Sequence, residues 1–122
     1  MSGLWLTAAA LNGLVAVAAG AYGSHGLAGD AAAWVEIGSR YQMWHALALL
    51  GLLLLRRSGE AGLLLRGAGW AFLVGIALFS FSLYAMALTG DRSLGWITPI
   101  GGTAFVLGWA ALALHGLRRA AR

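Results

Sequence analysis

The sequence predicts an all-α membrane protein, an antiparallel bundle of four transmembrane helices with both termini in the cytoplasm. Three observations predict it. The chain is 61% hydrophobic and only 10% charged over 122 residues, whereas a soluble domain of this size keeps about a quarter of its residues charged. Its apolar residues fall into four long stretches separated by short polar segments. Every basic residue is an arginine, and the arginines gather at the ends of those stretches. Lipid is the expected solvent, and residues 1–122 are expected to form one membrane domain.

The helices are expected at about residues 3–24, 31–55, 66–89 and 97–118, each near the roughly 20 residues that cross about 30 Å of hydrocarbon. The first, from Leu4 to Tyr22, ends in the glycines of GAYGSHGL (Gly20–Leu27). Ala19-Gly20-Ala21 resembles a signal-peptide cleavage site, but Met1 to Thr7 carries no basic residue, and the apolar run exceeds the usual length of about 7 to 15 residues. It is read as a spanning helix. The second apolar stretch, Tyr41 to Leu55, is short alone. Asp30 is a good N-cap ahead of Ala31-Ala32-Ala33, and Glu36 with Arg40 has the favourable i,i+4 order. A short amphipathic segment over Ala31–Arg40 is therefore expected at the interface, running into helix two. Ala68–Leu88 and Ile97–Leu117 supply the third and fourth spans.

Charge sets the orientation. Six arginines (Arg56, Arg57, Arg66, Arg118, Arg119, Arg122) lie between spans two and three or after span four, against Arg40 and Arg92 on the other side. The positive-inside rule then puts both termini in the cytoplasm. Trp34, Trp44, Trp96, Tyr22, Tyr41 and Tyr84 are expected toward the outer interface, with Trp5 and Trp70 near the inner one. A net charge of +4 raises nucleic acid as a partner, but arginines flanking apolar spans mark topology and no nucleic-acid face is expected. The absence of cysteine excludes disulfides and thiolate chemistry.

Helices in lipid associate through close packing and hydrogen bonds. Small residues step along helix one (Ala9, Gly13, Ala16, Gly20, Gly23), helix three (Gly67, Ala71, Gly75) and helix four (Gly101, Ala104, Gly108, Ala111). Gly13, Gly20, Gly75, Gly101 and Gly108 are expected to face neighbouring helices. Asn12, mid-membrane, is expected to bond a neighbouring helix because a lone amide is costly there; a contact to a substrate or ion is the sharper alternative. Ser80 and Ser82 are expected to bond their own helix carbonyls. At the outer end, His25, Tyr41, Gln42, His45, Tyr84 and Thr98 form the candidate functional polar cluster. His25, freed from the helix by Gly23 and Gly26, is expected to turn back toward the start of helix two. Two histidines alone under-ligand a metal, so neither metal nor cofactor is expected, and His115 reads as a helix-end residue facing headgroups. No nucleophile–base pair, phosphate loop or paired carboxylate appears, so no catalytic residue is assigned.

These residues resemble a known family. GAYGSHGL, YQMWHALALL (Tyr41–Leu50), LFSFSLYAMALTG (Leu78–Gly90) and ITPIGGTAFVLGW (Ile97–Trp109) are similar to the small bacterial inner-membrane proteins of the domain-of-unknown-function 423 (UPF0382) group, which is related to the transmembrane protein 256 family. The resemblance covers nearly the whole chain, although Phe81 stands where a small residue is expected and Ala31–Arg40 aligns with little of it. It implies a multi-spanning membrane protein and no particular activity. The expected role is non-enzymatic: packing against membrane lipid, a second copy or another membrane protein. A small transporter or channel using Asn12 and the polar cluster is the alternative, and a haem- or metal-binding protein the second.

Overall fold

The computed structural model describes residues 2–122, and all of its regular structure is helical. Helix α1 spans Ser2–Gly26, α2 Gly29–Arg57, α3 Leu63–Thr89 and α4 Ile97–Ala120, the last entered through a 3-10 turn at Arg92–Trp96. Glycine makes two of the reversals. Gly29 turns the chain into α2 with φ +62, and Gly90 ends α3 in the left-handed conformation with its N–H on the Met86 carbonyl at 2.8 Å. Asp91 then caps the 3-10 turn, accepting from the Ser93 backbone at 3.0 Å and its hydroxyl at 2.6 Å.

The first turn departs from expectation in its glycines. Neither Gly23 nor Gly26 has a positive φ; α1 runs to Gly26, and the positive φ falls at Gly29, the first residue of α2. The Ala31–Arg40 segment, expected to run into helix two, forms the first turns of α2. Its Val35, Gly38 and Ser39 are buried against neighbouring helices, because α2 begins at Gly29 and descends at once into the protein.

The contacts run in antiparallel register. Gly23 meets Val35 and Gly20 meets Ser39 between α1 and α2; Gly38 meets Tyr84 between α2 and α3; Gly108 meets Phe72 and Gly75 meets Phe105 between α3 and α4. The four antiparallel helices do not close into a ring. At backbone distance α1 packs only on α2, and α4 packs only on α3 and its turns, so α1 and α4 do not meet. Long side chains cover part of the gap: Trp5 of α1 reaches Gly69 and stacks edge-on against Trp70 at 5.3 Å. Only 11% of the apolar span of α1 and 17% of that of α4 is buried, against 39% for α3. The outer helices therefore offer broad apolar faces.

Glycines decide how closely α3 and α4 approach. A Cβ added at Gly75 would lie 2.3 Å from the Phe105 ring, and one at Gly108 would lie 2.6 Å from Phe72, so each helix receives the other's phenylalanine over its glycine. At Gly101 an added Cβ would meet backbone, the Phe79 nitrogen at 2.3 Å. That contact falls in Ile76–Ser80, where α3 widens into a π turn. Gly20 lies against Ser39 with just enough room for a methyl, at 3.4 Å. Gly13 departs from the expected stripe, since nothing lies within 4 Å of its added Cβ. Ala9 and Ala16 are buried, and the step between them along the packed face falls on Asn12. Gly13 is one residue round, to the side. Gly67 likewise meets nothing.

Candidate polar site within the helices

Asn12, Gln42 and Tyr84 form a chain through three helices. Asn12 Nδ2 donates to its own helix at the Ala8 carbonyl, 2.9 Å, and its Oδ1 accepts from Gln42 Nε2, 2.9 Å. Gln42 Oε1 accepts from the Tyr84 hydroxyl at 2.7 Å. Gln42 is completely buried, so its amide would be costly without both partners. The Tyr84 ring lies over Gly38, whose added Cβ would stand 2.8 Å from it. The absent side chain at Gly38 is what lets the hydroxyl reach Gln42.

His45 lies near this chain, also buried. Trp109 Nε1, which can only donate, reaches His45 Nε2 at 3.0 Å. Nε2 is therefore the acceptor, and Nδ1 carries the proton that it shares with the Tyr41 carbonyl at 2.6 Å. The imidazole stacks on Phe105 at 3.7 Å and 8°. Tyr41 packs by its ring, 4.7 Å from Phe79. With Trp44 and Trp109 these rings line an apolar groove of about 670 Å³ between α2 and α4. Serine hydroxyls of α3 link it to both α2 and α4. Ser80 donates across to the Gly38 carbonyl of α2 at 2.7 Å, not to its own helix as expected, because the π turn aims it at α2. Ser82 bonds its own Phe79 carbonyl at 2.9 Å and also shares a proton with Thr98 of α4 at 2.6 Å.

The structure divides the expected outer cluster. Gln42 and His45 lie in the middle of α2, well past its start at Gly29. Gln42 joins Tyr84; His45 joins Trp109; Thr98 joins Ser82. Tyr84 turns its hydroxyl inward instead of belonging to an interfacial belt. His25 joins none of them. It is exposed in the last turn of α1, and no side-chain hydrogen bond involves it among the described residues. His25 is still helical, one residue before the end of α1, so the glycines do not free it from the helix as expected. The histidine pair that motivated a metal or haem reading is not assembled, and both nitrogens of His45 are engaged by protein.

Residues that the sequence reading passed over complete the picture. Trp109 and Phe105 hold His45, four residues apart on α4, a spacing visible in the sequence. Glu60, in the α2–α3 loop, is nearly buried and binds His115 at 2.8 Å and Arg119 at 2.5 Å. His115 is thus a loop anchor, not a free headgroup contact. The His115 hydrogen bond, aided by Arg119 and Arg122 and opposed by burial, holds the Glu60 carboxyl below its usual range. At the opposite end Arg92 pairs with Asp30 and lies 5.1 Å over the Trp34 ring, while Glu36 pairs with Arg40 at 2.6 Å. Among the described residues no three of His, Cys, Asp or Glu stand together.

Long apolar helices whose polar side chains turn inward and satisfy one another define an integral helical membrane protein. The chain belongs to the family described as "Protein of unknown function (DUF423)", whose model matches residues 19–102. It is 42% identical over 117 residues to a UPF0382 membrane protein of Haemophilus influenzae, covering 93% of each chain. A UPF0382 membrane protein of Staphylococcus epidermidis is 45% identical over 114 residues, covering 89% of this chain and 91% of the relative. The UPF0382 membrane protein YwdK of Bacillus subtilis is 39% identical over 116 residues, covering 89% and 92%. No solved structure matches the chain.

Proposed function

We propose that the chain crosses the bacterial inner membrane four times, with both termini in the cytoplasm, and acts there without catalysis through the surfaces it offers to lipid or to another membrane protein. Three helices are long and apolar enough to span by composition, and α2 is not among them. Its deficit comes from Ser39, Gln42 and His45, which are buried, and from Arg40, which is exposed and paired with Glu36, while Ile37, Trp44, Leu47 and Leu54 lie on its exposed side. What α2 turns outward is therefore suited to lipid. The α2–α3 loop and the end of α4 touch through Glu60, His115 and Arg119, so the six-arginine group lies at one end of the molecule. The positive-inside rule assigns that end to the cytoplasm.

One observation carries the non-catalytic reading. Among the described residues, every buried side-chain nitrogen and oxygen already has a hydrogen-bond partner within the protein. A group that handles a substrate must keep a proton or lone pair available for it. The transporter alternative needs such a group along a path. Reconstituted protein should therefore add no ion or proton flux to liposomes, and a flux abolished by Gln42→Leu would replace this reading with the transporter. Reporter fusions after Gly59 and after Arg122 should both report cytoplasm; a periplasmic signal from either overturns the topology.

A further inference from the structure

Tyr41 and Trp44 carry polar atoms at membrane depth that the fold leaves unused. The Tyr41 hydroxyl and Trp44 Nε1 make no hydrogen bond among the described residues, whereas the Tyr84 hydroxyl and Trp109 Nε1 both do. Every enclosed side-chain nitrogen and oxygen has a partner, so these two atoms lie at the surface. Tyr41 stands about 18 Å along α2 from Gly29, twelve residues at about 1.5 Å each, and Trp44 is three residues deeper. The remaining unbonded phenol and indoles, on Tyr22, Trp5, Trp34, Trp70 and Trp96, all stand within two turns of a helix end, where water or headgroups reach them. Hydrocarbon supplies no such partner. Tyr41 and Trp44 both border the groove of about 670 Å³ between α2 and α4, a volume within the range of small-molecule sites. We propose that this groove binds one isoprenoid quinone, a ring carbonyl accepting from the Tyr41 hydroxyl. The proposal rests on the membrane-embedded reading above and names the lipid that the surface takes.

Hydrogen bonding, charge, shape and depth together select that ligand. His45 is engaged at both nitrogens, and the Thr103 hydroxyl donates to the Pro99 carbonyl at 2.9 Å. What the groove still offers is donors, and what it lacks is an acceptor. No charged side chain lines it, and Arg40, next to Tyr41 in the chain, is neutralised by Glu36, so a neutral ligand fits. Its walls carry the rings of Tyr41, Trp44, Phe79, Phe105 and Trp109, which favour a flat conjugated ring in offset or edge contact. The Tyr41 ring is itself held, 4.7 Å from Phe79 and stacked on Phe105 at 6.2 Å, so its hydroxyl is fixed before a ligand arrives. Depth separates a quinone from an ordinary phospholipid. Ester carbonyls lie at the edge of a hydrocarbon layer about 30 Å thick, whereas Tyr41 is near the middle of α2; a quinone carries its carbonyls on a ring that enters the hydrocarbon. Gly102 keeps the groove open. A Cβ there would meet only the Phe79 ring, at 3.8 Å, so helix packing does not demand glycine, and a longer side chain would enter the ligand's space.

The test titrates the full chain, at fixed neutral detergent, with ubiquinone bearing two isoprene units, and reads quenching of tryptophan fluorescence, since Trp44 and Trp109 line the groove. Wild type should saturate at one quinone per chain. Geraniol, the same tail as a simple alcohol without the ring, should not displace it at equal concentration. Tyr41→Phe removes only the hydroxyl and should weaken binding about fivefold, the worth of one hydrogen bond. Tyr22→Phe removes a hydroxyl outside the groove and should change nothing. Gly102→Leu should abolish saturable quenching, while Gly102→Ala keeps it. Quenching that rises without saturation, displacement by geraniol, or a Tyr41→Phe protein that binds as tightly as wild type would each overturn the proposal. So would a wild-type dimer that Gly102→Leu converts to monomer, which would assign the groove to a second copy. Saturation and the geraniol comparison need no variant, so they decide the matter even if Gly102→Leu fails to fold. An unsaturable titration would leave the four-span topology standing, because reporter fusions alone decide that.

Discussion

Gln42→Leu removes the central member of the Asn12–Gln42–Tyr84 chain while nearly keeping side-chain volume. Two interhelical hydrogen bonds disappear, of 2.9 and 2.7 Å. Such bonds contribute about 0.6 kcal/mol each on average in a membrane protein and up to about 1.7. Their sum is therefore about 1–3 kcal/mol of destabilisation. The site makes the upper half of that range the expectation, because Gln42 is fully buried and its loss leaves the Tyr84 hydroxyl and Asn12 Oδ1 without the partners they have now. A double-mutant cycle with Tyr84→Phe isolates one bond: the two single losses should exceed the double loss by roughly 0.6 kcal/mol or more. The assay is equilibrium unfolding in mixed detergent micelles, followed by tryptophan fluorescence and helical circular dichroism. Strict additivity, with Tyr84→Phe neutral alone, would refute the claim that this chain holds α1, α2 and α3 together. A Gln42→Leu protein as stable as wild type would refute it more directly.

Glycine substitutions separate packed faces from open ones. Gly101→Ala drives a methyl into the backbone of the α3 π turn and should cost up to about 2 kcal/mol, the overpacking of about 1–3 kcal/mol less the helix-propensity gain of about 1. Gly13→Ala meets nothing within 4 Å and should instead stabilise by up to about 1 kcal/mol; thermal unfolding in detergent checks both. His25→Ala should leave the unfolding midpoint unchanged, because the exposed imidazole bonds nothing among the described residues. Glu60 makes stability depend on pH: its folded carboxyl titrates below the unfolded value of 4.5, so its contribution is present above that value and is lost as pH falls through the depressed one. Glu60→Gln should flatten the unfolding midpoint's dependence on pH as it falls below the usual carboxylate range, and an unchanged slope would show that the loop anchor does not titrate.

The four helices were legible because hydropathy and turn residues are local signals, and Gly90 or Asp91 punctuates the chain wherever it folds. The site was legible by residue type but not by partner. Asn12 was expected to seek a bond on a neighbouring helix, and it found Gln42. The expected cluster was misplaced because depth was read from the apolar stretch, which opens at Tyr41, and not from the helix, whose expected start near residue 31 is close to the observed Gly29. Counted from Tyr41, Gln42 and His45 look interfacial. Starting at Gly29, they lie at the depth of Asn12 and must be paired.

Helix phase was harder to read than helix depth. Gly13 and Asn12 are adjacent, and a stripe of small residues drawn at spacing four selects the glycine. Yet the buried positions Ala9 and Ala16 are seven apart, two turns of helix, and the residue between them on that face can be reached by a step of three as well as four. The step of three lands on the amide. Choosing between them requires knowing that a Gln lies opposite, on a helix thirty residues away, and composition along α1 does not carry that information. The same holds for α3, where Gly75 is packed and Gly67 is open. A small residue permits close approach, but only a partner side chain such as Phe105 makes the approach occur. Where large partners are missing, on the outer faces of α1 and α4, small and large apolar residues alike remain exposed for lipid or a neighbouring protein to cover.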